Sequence, residues 1–265
     1  MEKLSNIGIF SLAYAPFVGG AELAVKEITD RLPEFEFTCI TYRFLPEWQE
    51  RESIGNVSVV RVGKGNSLYG RKGKFFYIFR AWRTAEALHR ERPFQAIWAI
   101  MAAYGGLAAL LFKLRHPRIP LLLTLQEGDE EGHILRRVGV FYPLWKLLFS
   151  RADAVQAISH SLGNFAKQHG VRVSIQIIPN GVSEDFFLPR ARKNNRPFTI
   201  ITTSRLVHKN GVDVLIRAFA KLPITNYQLL IVGDGPDRKK LEALAGDLGV
   251  GNRVQFLGHV PPEQI

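Results

Sequence analysis

Phe198-Thr199-Ile200-Ile201-Thr202-Thr203-Ser204-Arg205-Leu206-Val207-His208-Lys209-Asn210-Gly211-Val212-Asp213-Val214-Leu215-Ile216 holds, in order, a β-branched run, a basic loop and the opening of an apolar helix. The run has no consistent polar face, as expected of a parallel strand covered by helices. A loop that hands such a strand to a helix is a natural phosphate site. The helix start offers free N–H groups and partial positive charge. Arg205 adds a planar fork of donors and Lys209 a mobile point charge.

The same alternation runs outward in both directions. Strand signals fall at 7–13, 36–41, 57–62, 94–99, 120–125, 154–158 and 174–178 before this stretch, and at 228–232 and 253–257 after it. Helical spacing falls at 21–31, 75–90, 104–114, 159–169, 211–221 and 237–248. Strand–helix alternation predicts parallel, doubly wound sheets. The segment 189–197 is polar, cationic and flanked by prolines, which reads as a linker. The expected domains are therefore 1–188 and 198–265. The second has only three strands, so it reads as incomplete.

Composition narrows the classes. With 265 residues and 46% hydrophobic content, the core needs no disulfide or metal to hold it. The single Cys39 lies in an alternating strand and is expected to be a buried thiol. One thiol and no leader-like N-terminus point to the cytoplasm. The stretches 107–112 and 138–149 are too short, or interrupted by Lys146, to span a bilayer. The net charge of +11 calls for an acidic partner, which charge alone does not identify. The segment Lys64–Arg92 interleaves eight cations with Tyr69, Phe75, Phe76, Tyr77, Phe79 and Trp82. It reads either as a surface for anionic membrane or as an amphipathic helix with aromatics in the core and cations in water. No nucleic-acid motif accompanies it, so nucleic acid is not an expected partner.

Other loops fall at strand ends. Gly19-Gly20 opens the first helix, either as a tight turn or as a close approach to a ligand. It is not the spaced glycine fingerprint of dinucleotide enzymes, which argues against an oxidoreductase. Gln126-Glu127-Gly128-Asp129 follows the fifth predicted strand. Its carboxylates suit acid, base or polar substrate contacts, and equally a solvated loop. No set of side chains has metal-ligand spacing. Gly233-Asp234-Gly235-Pro236 and Gly258-His259-Val260 end later strands, so Arg205, Lys209, Gly233 and Gly258 are expected to converge on one rim.

Taken in order, Gly19-Gly20-Ala21-Glu22, Ile178-Pro179-Asn180-Gly181-Val182, Ser204–Ile216, Gly233–Pro236 and Val254–Pro261 resemble glycosyltransferase family four, the retaining GT-B enzymes. The resemblance implies two facing Rossmann-like domains with a cleft between them. The second would bind a nucleotide-diphosphate sugar and the first a lipid-linked or glycan acceptor, without metal or cofactor, at the cytoplasmic membrane face. It implies donor contacts at Gly19, Gly20, Arg205, Lys209, Gly233, Gly235, Gly258, His259 and Val260. It places Glu127, Asp129 and Asn180 on the acceptor side, and gives Arg205, Lys209 and Gln126 catalytic roles. Three features depart from the family. Asn210 separates Lys209 from Gly211, where the family has Lys directly before Gly. Gln126 stands where the family carries His. The family's acidic motif would lie past Pro262, so on this reading these 265 residues are a fragment expected to be inactive or nearly so. The competing expectation is a naturally short, non-catalytic protein that binds sugar nucleotides or membrane.

Overall fold

A computed structural model describes residues 5–17, 19–65, 71–128, 132, 134, 138, 141–182, 198–223 and 226–260. The chain forms two compact units, Met1–Gly181 and Val182–Ile265. The expected linker at 189–197 lies outside the described residues.

The first unit runs β1 (Ser5–Phe10), α1 (Gly20–Asp30), β2 (Phe35–Tyr42), β3 (Arg51–Ile54), β4 (Val57–Val62), α2 (Arg71–Glu91), β5 (Ala96–Ile100), α3 (Tyr104–Arg115), β6 (Leu121–Leu125), α4 (Tyr142–Arg151), β7 (Ala154–Ala157), α5 (His160–Gln168) and β8 (Ile175–Ile177). Its eight strands lie in the order β3-β4-β2-β1-β5-β6-β7-β8. All neighbouring pairs are parallel except β3 with β4. Two cores are buried. One contains Ile9, Ala21, Val25, Phe37, Cys39 and Trp98, with side chains from α1. The other contains Phe10, Tyr77, Leu110, Phe112, Trp145 and Phe149, with side chains from α2, α3 and α4. Cys39 is fully buried, as expected, and burial pushes its thiol pKa well up.

Two elements went unread in the sequence. The polar strand β3 pairs antiparallel at the sheet edge through a two-residue turn at Gly55-Asn56. Gly55 has φ of +56°, which suits such a hairpin. Helix α4 buries Trp145, Leu148 and Phe149, spaced i, i+3, i+4, and carries Pro near its start.

The second unit runs β9 (Phe198–Thr203), α6 (Val212–Ala220), β10 (Tyr227–Val232), α7 (Arg238–Asp247) and β11 (Val254–Gly258). Its three strands are parallel in the order β11-β10-β9. Both helices pack on the core formed by Ile216, Phe219, Leu229, Ile231, Leu241 and Val254. Ile201 and Leu257 remain exposed.

Candidate functional site

In the second unit the loops after β9, β10 and β11 interlock at the carboxyl ends of the strands. Leu206 N donates to Asp234 O at 3.0 Å, and Gly233 N donates to Gly258 O at 2.7 Å. Gly233 and Gly235 are dictated by this packing. A Cβ on Gly233 would overlap the Ser204 carbonyl, and one on Gly235 would overlap the Leu206 carbonyl. The backbones at Arg205, Gly233, Gly235 and Gly258 therefore share one rim, which includes three of the four residues expected to converge there, Arg205, Gly233 and Gly258. Arg205 and Lys209 are both exposed, Lys209 within a short 3-10 helix over His208–Asn210. His259 is exposed and Val260 half-buried just beyond β11.

Two residues with no structural part legible in the sequence organise this rim. Asn210 Nδ2 donates to Ser204 Oγ at 3.0 Å and to Arg205 O at 2.7 Å, closing the basic loop on itself. The residue that departs from the family spacing is thus the loop's clasp. Arg238 donates through Nη2 to Phe256 O at 3.2 Å and through Nε to Glu242 at 2.8 Å, and its Nη1 lies 3.4 Å from Asp234. It ties β11 to the Gly233–Pro236 turn. The hydrogen bond to Glu242 holds its guanidinium pKa above the usual value.

In the first unit Gly19 caps α1 with extended backbone, and Gly20 is exposed with open space around its Cα. The Glu22 carboxylate folds back over Gly19 so closely that a Cβ there would collide with it. Burial raises the Glu22 pKa above its ordinary value. The preceding loop is held from below by Arg61, only 4% exposed. Its guanidinium donates to Ala15 O at 2.6 Å and Gln49 O at 2.8 Å, pairs with Glu52, and lies 5.5 Å from the Trp48 ring centroid.

At the end of β6, Gln126 is 8% exposed. Its Oε1 accepts from Asn180 Nδ2 at 3.2 Å. Its Nε2 is enclosed and finds no partner among the described residues. Glu127 turns the other way and accepts from Ala102 N beside the start of α3. Its carboxylate thus serves the backbone at Met101–Ala103, where Met101 holds a left-handed φ of +66°. Asp129 lies outside the described residues. The structure joins Gln126 to Asn180 and separates both from the role of Glu127. Among the described residues no group of three or more His, Cys, Asp or Glu is placed to hold a metal.

Helix α2 departs from the reading that puts its aromatics in the core and its cations in water. Tyr77, Ile78, Ala81 and Ala85 are buried, whereas Phe76 and Phe79 are 55% and 45% exposed. They share the outer face with Arg80 and Arg83. The Phe75 and Phe141 rings lie tilted at 40° with centroids 5.4 Å apart, bringing the exposed Phe141 and Tyr142 of the α4 entrance alongside. Among the described residues no helix is long and apolar enough to cross a membrane.

Residues 19–181 match the family model described as "Glycosyl transferase 4-like domain", and residues 183–265 match "Glycosyl transferases group 1". The chain belongs to the group 1 glycosyl transferases. Among curated relatives of this glycosyltransferase, the GDP-mannose-dependent alpha-(1-6)-phosphatidylinositol monomannoside mannosyltransferase of Mycobacterium tuberculosis is 29% identical over 99% of this chain and 69% of its own length. The protein of the same name from Mycolicibacterium smegmatis is 34% identical over 66% of this chain and 48% of its own length. Sucrose-phosphate synthase from Thermosynechococcus elongatus superposes with a TM-score of 0.78 at 19% identity, over 98% of this chain and 71% of that one. Anabaena HepE, solved with UDP and glucose, gives 0.71 at 20% over 97% and 70%. These likenesses establish the GT-B fold class.

Proposed function

We propose that this glycosyltransferase moves a sugar, with retention, from a nucleotide-diphosphate sugar to a lipid-linked or glycan acceptor. The observation that carries the reading is the rim of the second unit, where Arg205 stands on a clasped loop beside the Gly233–Gly235 turn and Lys209 follows four residues later. In the proposed reaction the bond from the sugar's anomeric carbon to the diphosphate oxygen breaks. The acceptor hydroxyl oxygen bonds to that carbon, and its proton leaves on the departing diphosphate. Two cations fixed where that negative charge grows lower the barrier. Gly233, Gly235, Gly258, His259 and Val260 complete the donor surface by their backbones, with no role for a metal. Gln126 does not exchange a proton near neutral pH, so its part is to donate Nε2–H to a sugar or acceptor hydroxyl.

The names of the curated relatives favour a guanosine donor and a phosphoinositide-based acceptor. The outer face of α2 agrees with a membrane-resident acceptor. Phe76 and Phe79 supply apolar contact, while Arg80 and Arg83 draw anionic headgroups, each cation contributing about 1 kcal/mol near such a surface.

The test is calorimetric titration with GDP-mannose, UDP-glucose and UDP-N-acetylglucosamine, followed by transfer to lipid extracts with and without a chelator. Saturable binding of one donor and chelator-resistant transfer are expected. Failure of every nucleotide sugar to bind, or loss of transfer on chelation, overturns the proposal.

A further inference from the structure

Trp98, Thr124 and Gln156 stand on three adjacent strands, β5, β6 and β7, and form a hydrogen-bond relay that runs one way. Trp98 Nε1 donates to Thr124 Oγ1 at 2.8 Å. Thr124 Oγ1 donates to Gln156 Oε1 at 3.0 Å. Gln156 Nε2 donates to Ile178 O at 3.1 Å. Indole nitrogen is a donor only, so it forces Thr124 to accept there and to spend its own proton on Gln156. That contact fixes the Gln156 amide with its NH2 toward Ile178. Each bond in such a chain polarises the next. Thr124 is fully buried and Trp98 is 6% exposed, so water does not compete for the inner links.

The relay ends on the carbonyl two residues before Asn180. Asn180 itself is exposed and otherwise lies in an irregular turn after β8. From that turn Asn180 Nδ2 reaches back to Gln126 Oε1. Gln126 lies two residues beyond Thr124 on the same chain. The turn is therefore gripped twice from the β6 end, once through Gln156 and once through Gln126. In this pairing Asn180 Nδ2 is the donor and Gln126 Oε1 the acceptor. Because Oε1 is taken by a donor, Nε2 is the atom left over, enclosed and unpartnered among the described residues.

We infer that Trp98, Thr124 and Gln156 are positioning residues whose relay sets the Ile178–Gly181 turn, and that Asn180 then holds the Gln126 amide with its N–H donor ready for a substrate hydroxyl. A buried donor left without a partner in the free protein is expensive, and a hydroxyl arriving with substrate would relieve it. The ligand class is therefore a hydroxyl-bearing acceptor or sugar, bound through a donor whose charge does not change with pH. The catalytic part of this inference rests on the transfer reading above; the geometric part does not.

The experiment uses the whole chain with Thr124→Val, Thr124→Ser and Gln156→Leu. Thr124→Val keeps the shape and removes both hydrogen bonds, while Thr124→Ser keeps both. Gln156→Leu cuts the outer, half-buried link and serves if Thr124→Val does not fold. The first readout is the nitrogen–proton NMR spectrum of the side-chain amides. Thr124→Val or Gln156→Leu is expected to shift the Asn180 and Gln126 signals, and Thr124→Ser to leave them near wild type. The second readout is kinetic. Thr124→Val is expected to raise the acceptor KM, weaken donor binding or lower kcat about tenfold, the effect of one misplaced hydrogen bond, with Thr124→Ser restoring wild-type behaviour. Unmoved amide signals overturn the relay, as does an equal loss in Thr124→Ser; a fall in donor affinity assigns the hydroxyl to the donor sugar, and a rise in acceptor KM assigns it to the acceptor. If wild type transfers no sugar, the transfer reading fails, and the amide spectra still decide the relay.

Discussion

Asn210 Nδ2 donates to the carbonyl of Arg205 at 2.7 Å, so the residue that displaces Lys209 from its family position also shapes the loop that presents Arg205. Val207 N donates to the same carbonyl at 2.9 Å. Asn210→Ala is therefore expected to loosen the loop without unfolding it. Stability should change by less than about 1 kcal/mol, since the residue is exposed. Affinity for a nucleoside diphosphate should fall several-fold. Calorimetry of binding beside thermal unfolding separates the two; a wild-type affinity in the variant would assign the clasp no part in the donor site.

Arg205→Lys tests whether the fork matters or only the charge. A guanidinium grips a diphosphate through paired N–H groups, and an ammonium does not reproduce that geometry. Loss of a charge-assisted contact is worth roughly 1.5–3 kcal/mol, so an affinity loss of about tenfold or more is expected. Raising the salt should weaken binding in wild type more steeply than in Arg205→Ala. Equal salt slopes would place the anion elsewhere.

Parts of this were legible in the sequence, and the reasons differ element by element. The strands β5, β6 and β10 are apolar almost throughout because helices cover them, and that pattern is local. Strand β3 is Arg51-Glu52-Ser53-Ile54, whose polarity suits an edge and hides it from an apolar scan. The Gly55-Asn56 turn was its available signal. Helix α4 shows its period only in Trp145, Leu148 and Phe149, inside a stretch whose other apolar residues blur it. Arg205 and Lys209 stood out because a basic loop follows a strand. Arg61, Asn210, Arg238 and the Trp98–Thr124–Gln156 relay did not. Their roles arise from contacts between residues distant in the chain or from loop closure, which no periodicity encodes.

Arg61 gives the largest expected effect on stability. Its side chain is fully buried, yet it serves two carbonyls and Glu52. Truncating one partner of such a network costs about 3 kcal/mol or more. Arg61→Met is expected to lose roughly that much by urea denaturation and to release the Ala15 carbonyl, which holds the loop leading to Gly19. Unchanged stability would mean that Trp48 packing alone carries the site.

Glu22 should make stability depend on pH in the direction opposite to a salt-bridged acid. Burial raises its folded pKa, so the folded state holds the proton more tightly than the unfolded chain does. Its contribution is fully present below the ordinary glutamate pKa, about 4.3, and fades as pH rises through the raised folded value. Glu22→Gln, neutral throughout, is expected to be more stable than wild type at pH 7, by less than about 1 kcal/mol. The advantage should vanish near pH 4. Paired denaturation curves at the two pH values check this, and a variant less stable at pH 7 would show that attraction to the α1 N-terminus outweighs burial.

The outer face of α2 predicts a lipid response that charge alone would not give. Phe76→Ser with Phe79→Ser removes the apolar contact and leaves Arg80 and Arg83 in place. Because both rings are about half exposed and lie outside the buried core, the double variant should keep its fold. Sedimentation with vesicles containing anionic phospholipid is expected to fall for this variant even at low salt. Arg80→Gln with Arg83→Gln should bind weakly at all salt concentrations, losing about 1 kcal/mol per cation. Wild type should show little affinity for neutral vesicles, because two rings bury too little area to hold the protein alone. Equal sedimentation of all three proteins would remove α2 from the membrane-facing surface and leave its exposed aromatics unexplained.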